Sequence, residues 1–320
     1  MGTPFIALQE PSRLDGYNPN LPATSQPAHI PRTFRDAMRV REEVFVSEQG
    51  WPLGIEFDSD DTRSCHWVVY ASIKKTAAPA ETTPIGTIRI TPFPHPPHPP
   101  DGGVYHDGVL LPPHGPGKLE GSNGKPKAGA ENGNGAKSSN GVHVDGAAES
   151  KKNGMRNSSL SPSSKLDALA ERRKSQVRSV VDDLRFNTEL PYIEDRPTTY
   201  HDGQEPYVKL CRMAVAHEFR GHGIAIQLWN AAREWLIKNP GYFNPSVKEM
   251  GMDRFKEVAT DAVPEWKGLV CVHAQEPVIK VYERWGFKVD EGMGRWIEQG
   301  VPHVGMFQRL PIGNKMAIMR

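Results

Sequence analysis

Apolar positions along the chain fall into two rhythms. Ile224, Leu228, Ala231, Ala232, Trp235 and Leu236 recur with a 3.6-residue period, while Asn230, Arg233 and Glu234 fall opposite, which predicts an amphipathic helix. Ahead of it, Val208 to Val215 (VKLCRMAV) predicts a strand. Strands are also predicted over His66–Ile73 (HWVVYASI), Ile85–Ile90 (IGTIRI) and Leu269–Ala274 (LVCVHA). Pro277 to Trp285 (PVIKVYERW) predicts a helix stopped by Gly286, followed by strand-like FKV and HVGMFQRL. Near the start, Thr33 to Asp36 has the form of a capping box. It would open a helix carrying Phe34, Ala37, Met38 and Phe45 that ends at Gly50-Trp51-Pro52. The mixture predicts an α/β layer, neither all-helical nor all-β.

The rhythm breaks near Pro92, where the chain reads TPFPHPPHPPDGG, and from Pro112 to Ser164 Gly, Asn, Ser, Lys, Ala and Pro dominate. Such a stretch has too little apolar surface to offset the entropy of ordering it, so disorder is expected there. His95, His98 and His114 then read as parts of a solvated Pro-rich linker, and no metal site is expected. Leu166 to Leu184 has moderate helix potential. The remaining blocks, about 1–92 and 205–320, come to roughly 200 residues, within the range of one domain. They are expected to fold together around an insertion at 93–204.

The chain has 320 residues and a formal net charge of +1, from 39 basic and 38 acidic residues, so no global field favours nucleic acid or an anionic membrane. Cys65, Cys211 and Cys271 are far apart and form no C-x-x-C pair; they read as reduced core residues of a cytosolic protein. Cys271 and His273 on one strand lack a second cluster and make a poor zinc site. With no leader-like N-terminus and no apolar run near ~18 residues, a soluble cytoplasmic protein with possible access to the nucleus is expected.

Glu218 to Trp229 reads EFRGHGIAIQLW, which sets two glycines at a strand-to-helix turn. Amides opening a helix are unpaired and carry the positive end of its dipole, and glycine lets an anion approach them. A tight turn with no ligand is the plainer alternative. Gly221, Gly223 and Ile226 supply only two glycines of a dinucleotide fingerprint, and neither Gly-Lys pair is followed by Ser or Thr as a P-loop requires.

Arg220, Gly223 and Ala225 match the pattern [RQ]-x-x-G-x-[GA] within RGHGIA. The later AQEPVIKVYERWGF places a helical Tyr shortly before a Gly-Phe strand start, VREEVFVSEQGWP lies in the first block, and Gly300-Val301-Pro302-His303 forms a G-[IV]-P-H motif. Together these resemble the GCN5-related N-acetyltransferase (GNAT) superfamily, in particular a branch of small, poorly characterised members. The resemblance implies a GNAT-type mixed central sheet flanked by helices, with a long disordered insertion. It implies that the amides of Gly221, His222, Gly223, Ile224 and Ala225 bind the pyrophosphate of acetyl-CoA, with Arg220 fixing the turn. Met213, Ala214 and Val215 would meet the pantetheine arm and thioester, and Gln275 stands where many relatives place Asn. Tyr282 is the implied proton donor to the departing thiolate. Glu48, Glu298, His303 or a water relay remain open as the base, and the acidic loop IEFDSDD (Ile55 to Asp61) would favour a cationic amine if it lines the entrance. The implied activity is direct acetyl transfer to a primary amine of a small molecule or amino sugar. A protein or peptide acetyltransferase, or a non-catalytic acyl-CoA-binding module, are the alternatives.

Overall fold

A computed structural model describes residues 4–73, 81–111, 195–244 and 265–313. The disorder expected at 112–164 and the helix potential at Leu166–Leu184 lie outside them. In chain order the described elements are β1 (Phe5–Gln9), α1 (Arg32–Arg41), α2 (Asp60–Arg63), β2 (Cys65–Ile73), β3 (Glu81–Thr91), β4 (Val104–His106), β5 (Val109–Leu110) and β6 (Val208–Val215). Then come α3 (Ile224–Lys238), β7 (Leu269–Gln275), α4 (Ile279–Arg284), β8 (Lys288–Val289), β9 (Arg295–Glu298) and β10 (Val301–Arg309). The strands form one sheet in the order β1-β2-β3-β6-β7-β10-β9-β4-β5, with β8 beside β10.

One face of the sheet carries the main core. Trp67, Val69, Ile88, Leu210, Val270 and Val272 pack there against Ile224, Leu228, Trp229, Ala232 and Leu236 of α3 and Tyr282 of α4. The expected helical stripe is therefore the buried one, with Trp229 added to it and Ala231 and Trp235 half-buried at its margin. Alternation along β7 sends Val270, Val272 and Ala274 to this face. Leu269 and Cys271 join Tyr207, Met293, Trp296 and Phe307 in a smaller cluster on the other.

Two features control the centre of the sheet. β6 pairs in parallel with β7 only through Val208–Leu210 opposite Val270–Val272, so the strands part beyond Leu210. On its other edge β6 carries a bulge: Thr87 faces Ala214 while Arg89 faces Cys211, so one extra residue is accommodated and Arg212 takes φ +49°. The sequence pattern had blurred β6 because a bulge interrupts the period of two.

Three expectations are corrected. α1 starts at Arg32, with the Arg35 N–H already bonded to the Pro31 carbonyl at 3.0 Å, so Thr33 lies inside the first turn and makes no cap. The helix then continues from Glu42 to Glu48 as a wider π-helix. Finally, the Pro-rich stretch after β3 is packed in part: Pro92, Phe93, Pro94, His98 and Pro99 are buried, while Pro96, Pro97 and Pro100 are exposed. Its carbonyls find a donor in buried Arg63, whose Nη1 and Nη2 donate to Pro92 and Pro94 at 2.9 and 2.7 Å.

The acidic loop before β2 is also neither solvated nor free. Arg41, fully buried, donates from Nε to Glu56 Oε1 at 2.6 Å and from Nη1 to Asp61 Oδ1 at 2.7 Å. Arg89 donates to Asp58 and Asp61 at 2.6 and 2.8 Å, and Arg212 to Asp58 at 2.9 Å. Burial would raise the Asp61 carboxyl, but Arg41 and Arg89 overcome it and hold it far below the usual carboxylate range.

His66 lies beside this network, its Nε2–H donating to the Asp61 carbonyl at 2.9 Å, and burial lowers its pKa from 6.5 to about 4. Below pH 6.5 the unfolded chain takes up a proton that the folded chain refuses until about pH 4. The contribution is thus complete above pH 6.5 and is lost as pH falls through that window, amounting to about 3 kcal/mol. Chemical denaturation of His66→Gln should show a shallower fall in stability across this range than the parent. Parallel pH profiles would contradict this account.

Candidate active site

The glycine turn joins β6 to α3. After a short 3-10 turn at His217–Phe219 the chain passes through Gly221 at φ +78° and Gly223 at φ +74°, both in the left-handed region that favours glycine. A Cβ at Gly221 would meet nothing within 4 Å, so backbone conformation, not crowding, selects glycine there. Residues 221–223 are exposed. The Gln227 N–H is the first in α3 to reach back, to Gly223 O at 3.2 Å, so the amides of Ile224, Ala225 and Ile226 have no intrahelical acceptor.

Arg220 ties this turn down. Its Nε–H donates to the Val215 carbonyl at 2.9 Å and its Nη2 to Glu48 Oε2 at 2.6 Å, linking the turn to the end of β6 and to the π-helix. The His222 ring donates from Nδ1–H to the Arg220 carbonyl at 2.9 Å. Anchored thus, the turn holds the start of α3 in place, and helix starts with unpaired amides are where anions are commonly bound.

The turn opens onto the gap between β6 and β7. Met213, Ala214 and Val215 lie past the last residue pairing with β7, so the edge facing β7 is not used by that strand. Gln275 ends β7, and its Nε2 donates to Gln49 Oε1 at 3.2 Å, bridging from β7 to the end of the π-helix. α4 follows immediately, stacking Tyr282 edge-on against Trp285 and Phe287 at centroid distances of 5.2 and 5.6 Å. Burial, and secondarily the Cys211 thiol on β6, push the Tyr282 hydroxyl well above its ordinary range, so it is protonated at neutral pH.

On the opposite face of the sheet a group of polar side chains lies beside the smaller apolar cluster. His273 packs its ring against Trp296 at 4.7 Å, and its Nδ1 lies 3.8 Å from Glu298 Oε1, which also accepts the Trp296 Nε1–H at 2.7 Å. Burial lowers His273 to about 4, with Lys209 adding to the effect, so the ring is neutral at physiological pH. Burial alone would raise Glu298; contact with His273, with His303 and Lys209 contributing, holds it instead well below the usual carboxylate range. His303 is buried, with Nδ1–H donating to the Val301 carbonyl at 2.8 Å.

Met213–Val215 and Gln275 thus lie where β6 and β7 no longer pair, the 220–225 turn follows β6, Tyr282 is buried in the main core, and the candidate bases are separated. Glu48 is held by Arg220, whereas Glu298 and His303 belong to the polar group. Sequence reasoning missed the π-helix, the Arg212 bulge and the pairing of Glu298 with His273. The last had one signal, the Trp296-x-Glu298 and His273 positions on strands that alternate toward the same face.

The parting parallel strands, the bulged strand ahead of them and the glycine turn that leads into α3 together define the architecture. This mixed sheet flanked by helices is the fold class that the GNAT resemblance implies. No family model and no curated protein matches the sequence. Among solved structures the chain is similar to a "putative N-acetyltransferase" from Lactobacillus plantarum, at 15% identity and TM-score 0.38, over 97% of this chain and 99% of that one. It is also similar to an acyl-CoA N-acyltransferase from Pseudomonas aeruginosa (11%, TM-score 0.34, 96% and 99%) and to ElaA of Escherichia coli (13%, TM-score 0.34, 95% and 100%). At these identities and TM-scores the likenesses decide nothing about activity or substrate. Among the described residues, no helix is long and apolar enough to cross a membrane.

Proposed function

We propose that the chain is an acetyl-CoA-dependent N-acetyltransferase that acts on a primary amine of a small molecule or amino sugar. The observation that carries this reading is the parting of β6 and β7, with an exposed glycine turn after β6 and the unpaired amides that open α3 behind it. The exposed glycine turn fits a pyrophosphate, since anions favour helix N-termini and nothing crowds Gly221. Acetyl-CoA would supply the activated acyl group. The β6 backbone at Met213–Val215 would hold the thioester carbonyl and stabilise its developing oxyanion. The Tyr282 hydroxyl would give its proton to the departing sulfur.

The amine would arrive from the side of the polar group. His303 supports that direction: a nucleophilic amine must shed a proton, and with Nδ1–H bonded to Val301 the ring's Nε2 would be the atom to accept it, directly or through water, whereas Glu298, held well below the usual carboxylate range, is a weak base. The paired acidic loop does not supply the attraction for a cation anticipated from its charge; Glu56, Asp58 and Asp61 are already engaged by arginines.

Incubation of the purified chain with acetyl-CoA and a panel of amines, amino sugars and peptides tests the proposal, following free thiol and product mass. Acetylated small amines are the expected products. Coenzyme binding without thiol release across the whole panel would instead favour a non-catalytic acyl-CoA-binding module, and turnover restricted to peptides would move the acceptor to protein.

A further inference from the structure

The loop after β3 and the segment leading into β6 meet at a cluster of His98, Asp195 and His201, away from the β6–β7 gap. The His98 side chain is fully buried and His201 nearly so. His201 Nε2 bonds the Glu205 carbonyl at 2.9 Å, and since a carbonyl only accepts, Nε2 carries the hydrogen. In a neutral ring its Nδ1 is then an acceptor, so the contact of 3.0 Å with His98 Nε2 must be donated by His98. That leaves His98 Nδ1 a bare lone pair. It is buried, without a hydrogen-bond partner, and lies 3.4 Å from Asp195 Oδ2, a second acceptor.

With neutral rings the two imidazoles would bring two hydrogens to three acceptor contacts, leaving a buried nitrogen lone pair facing a carboxylate. A cation beside His98 Nδ1 and Asp195 Oδ2 would resolve this conflict, and His201 would ligate it by turning its Nδ1 from the His98 Nε2–H to the ion. One donor atom from each of His98, Asp195 and His201 lies within 4.8 Å of the other two. Ligands about 2.0–2.1 Å from a tetrahedral ion are separated by about 3.3 Å, close to the observed spacing of His98 Nδ1 and Asp195 Oδ2. A cavity of about 10 Å³, lined in part by His95, Asp195, His201 and Glu205, adjoins the cluster and has room for one water molecule to complete a coordination shell.

We propose that His98, Asp195 and His201 bind a divalent transition-metal ion of the zinc class. Two imidazoles and one carboxylate are a donor set suited to such ions and poor for calcium or magnesium. The surrounding structure holds the donors in place. Both Asp195 carboxylate oxygens accept the His98 N–H, at 3.0 and 2.8 Å, and Arg196 donates to the carbonyls of Pro99, Gly292 and Met293. Asp290 caps the adjoining turn through Thr198 Oγ1 and the amides of Thr199 and Tyr200. His98 and His201 are 103 positions apart, so the ion would clip together the two flanks of the long insertion and close a large loop.

The test uses the full chain, stripped with a chelator, dialysed and titrated with ZnCl2 by calorimetry, with thermal unfolding followed in parallel. One equivalent should bind with a Kd of about 1 μM or tighter and raise the unfolding temperature. Asp195→Asn and His201→Gln, each checked for the parent's far-ultraviolet spectrum, should weaken binding by at least about 10-fold. If one variant fails to fold, the other and the parent still decide. Absence of stoichiometric zinc binding by the parent would overturn the site and leave a third proton to satisfy the cluster. So would equal affinity in a folded variant, which would place the ion on other histidines.

Discussion

Replacing Arg41 by methionine should destabilise the fold by about 3–5 kcal/mol, the range for breaking a buried ion pair from one side. Methionine fills much of the arginine stem's volume, so the loss comes from charge rather than from a cavity. Glu56 and Asp61 would remain buried, with Arg212 3.2 Å from Glu56 and Arg89 2.8 Å from Asp61 as their surviving partners. Arg41 Nη2 also donates to the Glu56 carbonyl, and that acceptor would be orphaned too. Denaturant unfolding measures the effect directly. Adding Glu56→Gln to the variant should recover part of the loss, because one unpaired buried charge is then removed. A loss below about 1 kcal/mol in the single variant would show that the network is relaxed by water and does not hold the loop to the sheet.

Tyr282→Phe should lower kcat by about 10²-fold or more while leaving acetyl-CoA affinity nearly unchanged. The ring makes the packing contacts with Trp285 and Phe287, and phenylalanine keeps them. Alanine would confound the result with a cavity costing about 3–5 kcal/mol. The hydroxyl alone carries the proposed proton transfer, and its raised pKa keeps that proton available over the physiological range. An unchanged kcat at saturating acetyl-CoA, with chemistry shown to limit the rate, would make Tyr282 a core residue and leave solvent as the donor.

How far these residues could be seen in advance depended on how local their cause was. The α3 stripe and the glycine turn are local: a 3.6-residue period and two positive φ angles write themselves into neighbouring residues. β6 was found with the bounds Val208–Val215, yet its bulge at Arg212 was not, since the extra residue exists only relative to β3. β1, β4, β5 and β9 escaped because each has five residues or fewer, too short a run for alternation to show. The charges of Ile55–Asp61 looked like a solvated run or a lure for cations; their true partners, Arg41, Arg89 and Arg212, come from three separate elements. His98 likewise looked like linker, because proline suppresses regular structure without preventing packing. Its neighbours Asp195 and His201 are about a hundred positions away.

Calorimetric titration of coenzyme A into the parent chain and into Gly223→Val tests the central claim most directly. Valine is a poor fit for φ +74° and would project a branched side chain beside the unpaired amides that open α3. Charge-assisted hydrogen bonds to a pyrophosphate are worth about 1.5–3 kcal/mol each, so losing one should weaken binding at least about 10-fold. The account predicts saturable binding by the parent and this loss in a variant that keeps the parent's circular dichroism spectrum. No binding of coenzyme A by the parent, or unchanged affinity in the folded valine variant, would contradict the assignment of the glycine turn to an acyl-CoA pyrophosphate.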